Sequence, residues 1–280
     1  MQEAQIRTIV AIPCFNTGRS IGDIVAVARR HVDQVIVVND GSRDNTAEAA
    51  RAAGAMVVSH EHNMGKAAAM RTAVQNTDAD IVVFIDGDGQ HEAEDIPRLV
   101  EPILQGQAGL VIGSRCLPRS KVVISPLRRR LSNSLASFVI SVVISFLMPL
   151  SIRLGRLRHF RRSRVKADGT SKSMNREVST TDYRLLTGRL KWITDCTSGF
   201  RAVRREAWQK LNLTSQGFQI ETEMIYEAAR NNIAIAEVPI SCNWDSQFSG
   251  LSISRDGVRT LGLLGKKLLA NLRGGEGDIP

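Results

Sequence analysis

Ile81-Val82-Val83-Phe84-Ile85-Asp86-Gly87-Asp88-Gly89-Gln90-His91 decides how the rest of the chain is read. Five apolar residues lead into two carboxylates, Asp86 and Asp88, separated by one glycine. In an extended strand, residues i and i+2 point to the same side. The two carboxylates can therefore converge on one hard cation where a buried strand ends. Ligands of open α/β sheets bind at the carboxyl ends of strands. Mg²⁺ is typically shared between one or two carboxylates and phosphate oxygens, so a diphosphate is the expected companion of such a pair. The alternative is a solvated Asp-Gly turn after a strand.

Working outward, short apolar, β-branched runs recur at Ile6–Ile12, Gln34–Val38, Ala55–Val58, Asp80–Ile85 and Leu110–Ile112. Helix signals lie between them: a capping-box pattern at Ser20-Ile21-Gly22-Asp23, an Asp44-Asn45-Thr46 cluster before an Ala-rich stretch, and the segments Gly65–Asn76 and Glu92–Gln105. Strand–helix alternation at this spacing predicts βαβ units and an α/β fold with a mainly parallel sheet. Further on, Thr194–Val203 is ordered, Ile220–Asn231 reads as a helix, Ile233–Ile240 as a strand and Leu261–Leu272 as an amphipathic helix.

At 280 residues, 43% apolar and 23% charged, the chain can bury a large core and is not a disordered segment. Its net charge of +9 is unevenly placed. Between Met148 and Trp192 lie twelve Lys/Arg and three acids, which accounts for the whole excess. Cys14, Cys116, Cys196 and Cys242 form no CxxC pair, and the start MQEAQIRTIVAIP has no leader signature, so the thiols read as reduced and the protein as cytosolic.

Four runs fall at strand ends and so share one sheet edge: Ile12–Asn16, Val37–Ser42, Asn63–Lys66 and Asp86–His91. With IPxxN at Ile12–Asn16, VVNDGSRDNT at Val37–Thr46, NMGKAAAMRTA at Asn63–Ala73 and DGDGQHEAEDIP at Asp86–Pro97 go GSR at Gly113–Arg115, DCTSGFRAVRREAW at Asp195–Trp208 and EVPI at Glu237–Ile240. This combination resembles the family 2 glycosyltransferases of the GT-A fold, and within them the dolichyl-phosphate mannosyltransferase / polyprenyl-phosphate glycosyltransferase group. The resemblance covers about residues 6–116 and 194–258. It implies a nucleotide-sugar-binding half over 1–116, a helix and basic mobile insertion over 117–193, an acceptor-side half over 194–260, and a C-terminal helix and tail over 261–280.

The resemblance further implies a nucleoside-diphosphate-sugar donor whose nucleotide is lined by Pro13, Phe15 and Asp40, and donor phosphates met by Arg115. It makes Asp86 and Asp88, with Gln90 beside them, the ligands of Mg²⁺ or Mn²⁺, with inversion at the transferred sugar. Two positions depart from the pattern: Asn39 stands where a carboxylate is usual, and Cys242–Ser254 lacks the Arg and Lys of a DRxxGxSKL-like run, for which Arg255 and Arg259 are candidate substitutes. Physically, transfer leaves a diphosphate with growing negative charge, which a metal on Asp86 and Asp88 and the Arg115 guanidinium stabilise. A lipid-phosphate acceptor, already anionic with a second pKa of about 6, needs no general base. A saccharide hydroxyl does, and Glu221, Glu223 and Asp195 are its candidates. A catalytically silent nucleotide-sugar-binding protein is the third reading. Lys66 reads equally as a solvated charge, and Arg201 as half of a core-edge salt bridge.

Leu131–Ile152 is uncharged over 22 residues, flanked by Arg128–Arg130 and Arg153. Serines at 134, 137, 141 and 145 share one helical face. Basic flanks on both sides favour the cytoplasmic side for both ends, so this helix lies in or dips into an interface instead of spanning it. Arg153–Lys191 reads as a long basic insertion, and 128–191 as a docking segment for an anionic membrane, making the protein peripheral to the inner face. Nucleic acid is not expected, because the charge lacks interleaved aromatics.

Overall fold

The computed structural model describes residues 6–123, 127–150, 184–186, 192–243 and 253–273. The first half alternates as expected: strand Thr8–Cys14 (β1), helix Ile21–Ala28 (α1), strand Gln34–Asn39 (β2), helix Thr46–Ala52 (α2), strand Met56–Ser59 (β3), helix Lys66–Gln75 (α3), strand Ile81–Phe84 (β4), helix Ile96–Leu104 (α4) and strand Leu110–Ser114 (β5). Short strands Lys121–Val123 (β6) and Arg184–Leu186 (β7) flank helix Leu127–Val142 (α5), which continues into a π-helical turn at Val143–Leu147. The second half holds strand Arg201–Arg204 (β8), helices Arg205–Gln209 (α6) and Ile220–Arg230 (α7), strands Ile235–Pro239 (β9) and Ser241–Asn243 (β10), and helix Ile253–Arg273 (α8).

Eight strands form one sheet in the order β3-β2-β1-β4-β8-β5-β9-β7. It is mainly parallel, with β8 and β7 antiparallel to their neighbours. Alternate residues feed two cores, because successive strand side chains point to opposite faces. Ile9 and Ala11 join one cluster with Met70 and Tyr226, whereas Val10 and Ile12 join the other with Ile21 and Ile96. The covering helices present matching stripes: α1 buries Ile21, Ile24, Val25 and Ala28, and α4 buries Ile96, Leu99, Val100 and Ile103, each at i, i+3, i+4, i+7. With both sheet faces covered, function is confined to the strand ends.

Several details differ from the sequence reading. Ser20 makes no side-chain cap to α1. Its hydroxyl donates to Gly87 O at 2.6 Å, tying the start of α1 to the Asp86–Asp88 turn. Arg201 forms no salt bridge among the described residues. Fully buried, its guanidinium donates to the carbonyls of Ser198, Cys196 and Glu221. Strand β7 lies inside the segment read as a basic mobile insertion, where its register with β9 adds an edge to the sheet. Residues 151–183, 187–191 and 244–252 lie outside the described residues, and with them most of the basic insertion and the run after the EVPI strand.

The uncharged segment is helical, as expected, and no helix among the described residues is long and apolar enough to cross a membrane. Of its serines, Ser137 and Ser141 are buried against the protein. Ser141 Oγ donates to Ser137 O at 2.6 Å and accepts from Ile193 N at 3.0 Å, while Ser137 Oγ accepts from Cys196 N at 3.1 Å. Leu135, Phe138, Phe146 and Leu150 are exposed.

Candidate active site

The site grows from the end of β4. The antiparallel register sets Phe84 opposite Arg201, so residues just before Arg201 lie beside those just after Phe84. This brings Gly199 against Asp86: a Cβ there would sit 2.3 Å from Asp86 Oδ2. Only glycine admits a carboxylate so near the backbone. Gly87 is equally confined, since its Cβ would meet Cys14 Sγ at 2.6 Å. The turn is thus packed against the ends of β1 and β8.

Lys66, the first residue of α3, lies between two carboxylates. Its Nζ is 2.5 Å from Asp86 Oδ1 and 2.6 Å from Glu221 Oε1, and 5.5 Å from the centre of the Phe218 ring. Burial alone would lower the Lys66 pKa, but Asp86 and Glu221 outweigh it and hold it above the ordinary value. Asp86 is also desolvated, yet Lys66, then His91 and Arg115, keep its carboxyl below the usual range. Asp88 has no such cation in contact among the described residues: burial, and then the Asp86 charge, push its carboxyl up to about 6. Its Oδ1 accepts from Gln90 N at 3.0 Å. Burial, then Arg115, lower the His91 imidazole to about 4, so the ring is neutral at pH 7, resting on Phe200 at 5.5 Å between centroids.

Arg115 is held by the buried Asp195 in a two-pronged pair, Nε to Oδ2 at 2.7 Å and Nη2 to Oδ1 at 2.8 Å. Asp195 is itself positioned by Glu237 of β9, whose Oε1 accepts from Thr194 N at 2.9 Å and Asp195 N at 3.1 Å. Asp40 is nearly buried and organises the loop that delivers Lys66. It accepts from Met64 N and Gly65 N, each at 2.8 Å, and faces His60 Nδ1 at 2.7 Å. His60 Nε2 in turn contacts Thr72 Oγ1 at 2.9 Å. Gly65 needs its φ of +91°, and a Cβ would strike Gln216 O at 2.5 Å. Pro13 is half-buried and Phe15 is 47% exposed at the same edge.

Of the sequence candidates, Asp86, Asp88, Gln90 and, through Lys66, Glu221 come together. Glu223 does not join them. Its carboxylate accepts from the backbone N–H and hydroxyl of both Thr214 and Ser215 and lies 3.0 Å from Lys267 Nζ. His60 is the residue that sequence reasoning passed over, and Lys66, which reads equally as a solvated charge, is the one whose part it left open. For Lys66 the preceding glycine, which admits a close backbone approach, was the available signal; His60 offered none.

Two carboxylates supply hard oxygen donors suited to Mg²⁺ or Mn²⁺. Among the described residues no three His, Cys, Asp or Glu side chains are grouped to hold a metal by themselves. The arrangement therefore fits an ion that completes its shell with phosphate and water oxygens. The buried Nε2 of Gln90 has no hydrogen-bond partner among the described residues.

Residues 9–211 match the family model of glycosyl transferase family 2. The chain is 28% identical over 249 residues to a polyprenol monophosphomannose synthase of Mycolicibacterium smegmatis, covering 84% of this chain and 77% of that protein. It is 24% identical over 252 residues to a UDP-N-acetylglucosamine–dolichyl-phosphate N-acetylglucosaminyltransferase of Methanococcus voltae, covering 82% of each. Glucosyl-3-phosphoglycerate synthase from Mycobacterium tuberculosis, solved with Mn²⁺ and UDP, superposes with a TM-score of 0.53 at 22% identity, over 98% of this chain and 81% of that one. The mainly parallel sheet with its flanking helices is a GT-A fold, and the chain belongs to glycosyl transferase family 2 as a glycosyltransferase.

Proposed function

We propose that this glycosyltransferase moves a sugar, with inversion, from a nucleoside-diphosphate sugar to a polyprenyl phosphate at the cytoplasmic face of a membrane. The observation that carries the choice of acceptor is the state of the three carboxylates a hydroxyl acceptor would need. Glu221 is bound to Lys66, Asp195 to Arg115, and Glu223 to four donors and Lys267. None stands ready to remove a proton. A phosphate monoester is already anionic, its second pKa being about 6, and attacks without a base. The names of the relatives, a polyprenol monophosphomannose synthase and a dolichyl-phosphate transferase, agree with that class.

In this reading Asp86 and Asp88, with Gln90 beside them, hold Mg²⁺ or Mn²⁺. When bound, the ion neutralises charge on the donor diphosphate. The acceptor oxygen forms its bond to the anomeric carbon as the carbon–oxygen bond to the diphosphate breaks, and the electron pair leaves with the nucleotide. Lys66 holds Asp86 ionised and fixed, Arg115 adds positive charge whose direction Asp195 sets, and Pro13, Phe15 and Asp40 belong to the nucleotide side. Segment 128–191 presses the site edge on an anionic leaflet; the exposed apolar residues of α5 support this. A second reading, transfer to a saccharide hydroxyl, draws on one observation: Glu221 Oε2 has no hydrogen-bond partner among the described residues. A panel of UDP-, GDP- and dTDP-sugars with Mn²⁺, offered a short-chain prenyl phosphate or a sugar alcohol, separates the two. Product on the prenyl phosphate is expected, and product only on the alcohol overturns the proposal.

A further inference from the structure

Helix α8 is built inside out. Its inner side carries Leu264, Lys267 and Asn271, all buried. Lys267 Nζ lies 2.6 Å from Glu227 Oε1, 3.0 Å from Glu223 Oε1 and 2.9 Å from Asn212 O, and Asn271 Nδ2 donates to Tyr226 Oη at 2.8 Å. A lysine taken from water is tolerated only when paired and hydrogen-bonded, and here it is. These contacts of Lys267 and Asn271 are directed inward, to α7 and to the segment before it. Its outer side is the reverse. Val258, Leu261 and Leu269 are 71%, 56% and 53% exposed. With Gly262 and Gly265 they fall at i, i+3, i+4, i+7 and i+11, one continuous stripe with no polar side chain in it. A helix whose outer side meets water carries charged and polar residues there; single exposed apolar residues are ordinary, but a continuous stripe is not.

We infer that the outer face of α8, centred on Val258, Leu261 and Leu269, is a lipid-docking surface for an anionic membrane, distinct from segment 128–191. Charge selects this occupant. Exposed Lys266 and Arg273 flank the stripe, and no acid occurs from Gly257 to Arg273, the pattern of a helix lying in a headgroup layer. The position agrees: Leu264 of α8 and Ile140 of α5 belong to the same core cluster, so both helices cover the same side of the sheet, and α5 also turns apolar residues outward. No helix among the described residues is long and apolar enough to cross a membrane; α8 has the length but carries charged residues around its stripe, so the stripe lies along the surface. The inference rests on the membrane-acting reading of the enzyme, but the surface is tested apart from it. Docking here would load α7, whose first turn holds Glu221 on Lys66, through the Lys267 contacts.

The test is flotation of the full chain on phosphatidylcholine vesicles with and without phosphatidylglycerol. Leu261→Gln with Leu269→Gln is expected to weaken partition to the anionic vesicles by at least about tenfold. Gly262→Leu supplies the opposite arm. No atom lies within 4 Å of its added Cβ, and leucine is the better helix former, so the variant extends the stripe without touching the core and should raise partition by about tenfold. A gain at an unchanged melting temperature does not arise from failure to fold, which would itself expose apolar core to lipid. Unchanged flotation in both variants overturns the inference, as does a wild-type chain that ignores anionic lipid. A concentration-dependent dimer in lipid-free sedimentation, lost in the double Gln variant, overturns it in favour of a second copy on this face. Turnover on a water-soluble prenyl phosphate keeps the two claims apart. If transfer proceeds but the stripe variants float normally, the surface is wrong and the function stands; if no prenyl phosphate is glycosylated, the functional reading fails by itself.

Discussion

A Cβ at Gly199 would come 2.3 Å from Asp86 Oδ2, so Gly199→Ala must push the carboxylate away from its place beside Lys66. Metal-dependent nucleotide binding should fall sharply while the melting temperature moves little, because the clash meets a side chain at the sheet edge; calorimetry with Mn²⁺ and nucleotide, beside a thermal melt, checks both. Asp88→Asn removes one charged oxygen ligand and should cost more than the roughly 10- to 100-fold typical of losing a mere supporting partner of a metal ligand. Equal Mn²⁺-dependent affinity in wild type and variant would remove Asp88 from the site. Lys66→Met leaves Asp86 and Glu221 facing each other without the cation. Removing one partner of a buried pair costs about 3 kcal/mol or more, so the denaturant midpoint should drop, in contrast to the two preceding variants.

Helix α7 shows how one element serves two purposes. Its first turn carries Glu221 to Lys66, and two residues later Glu223 closes the Thr214–Ser215 loop and meets Lys267 of α8. Glu223→Gln keeps one acceptor oxygen where two are used, leaving buried donors unmatched, each at about 1–3 kcal/mol. It should lower stability measurably in a urea melt. Glu221→Gln should lower turnover on a prenyl phosphate by well under the roughly 100-fold minimum expected on losing a general base. A loss of about 1,000-fold with donor binding intact would transfer the acceptor to the hydroxyl class. The serine stripe of α5 belongs to this scale as well: Ser137 and Ser141 accept from the backbone of Cys196 and Ile193, so a helix with membrane-like composition is fastened to the turn that holds Asp195.

Over the whole molecule, the exposed apolar residues of α5 and α8 belong to two helices on the same side of the sheet. The net +9 comes from the segment between Met148 and Trp192, and α5 and α8 both cover the cluster containing Met70 and Tyr226. Replacing 153–183 by a neutral linker, which spares strand β7, should weaken flotation on anionic vesicles and flatten its salt dependence, since each base near an anionic leaflet is worth about 1 kcal/mol and exposed charges are screened by salt. Unaltered flotation and salt response would assign docking to other parts of the chain.

The sequence by itself determined the strand–helix alternation, the common edge of the four strand-end runs and the Asp86–Asp88 pair, because these depend on local periodicity and on the direction of parallel strands. It also placed the helix after Arg130 and recognised its serine face. It could not determine what each ionised side chain would meet. Lys66 and Glu221 are far apart in the chain and become partners only when α3 and α7 pack on one face of the sheet. Glu221 and Glu223 look alike as sequence, yet helical rotation sends one to Lys66 and the other to Lys267. Arg201 meets no carboxylate among the described residues because the turn at Cys196–Ser198 offers two carbonyls and the first turn of α7 a third. Strand β7 was hidden because its three residues carry no periodic signal and are held by pairing with β9. Long-range pairing and desolvation made those choices, and neither is written in any local stretch of residues.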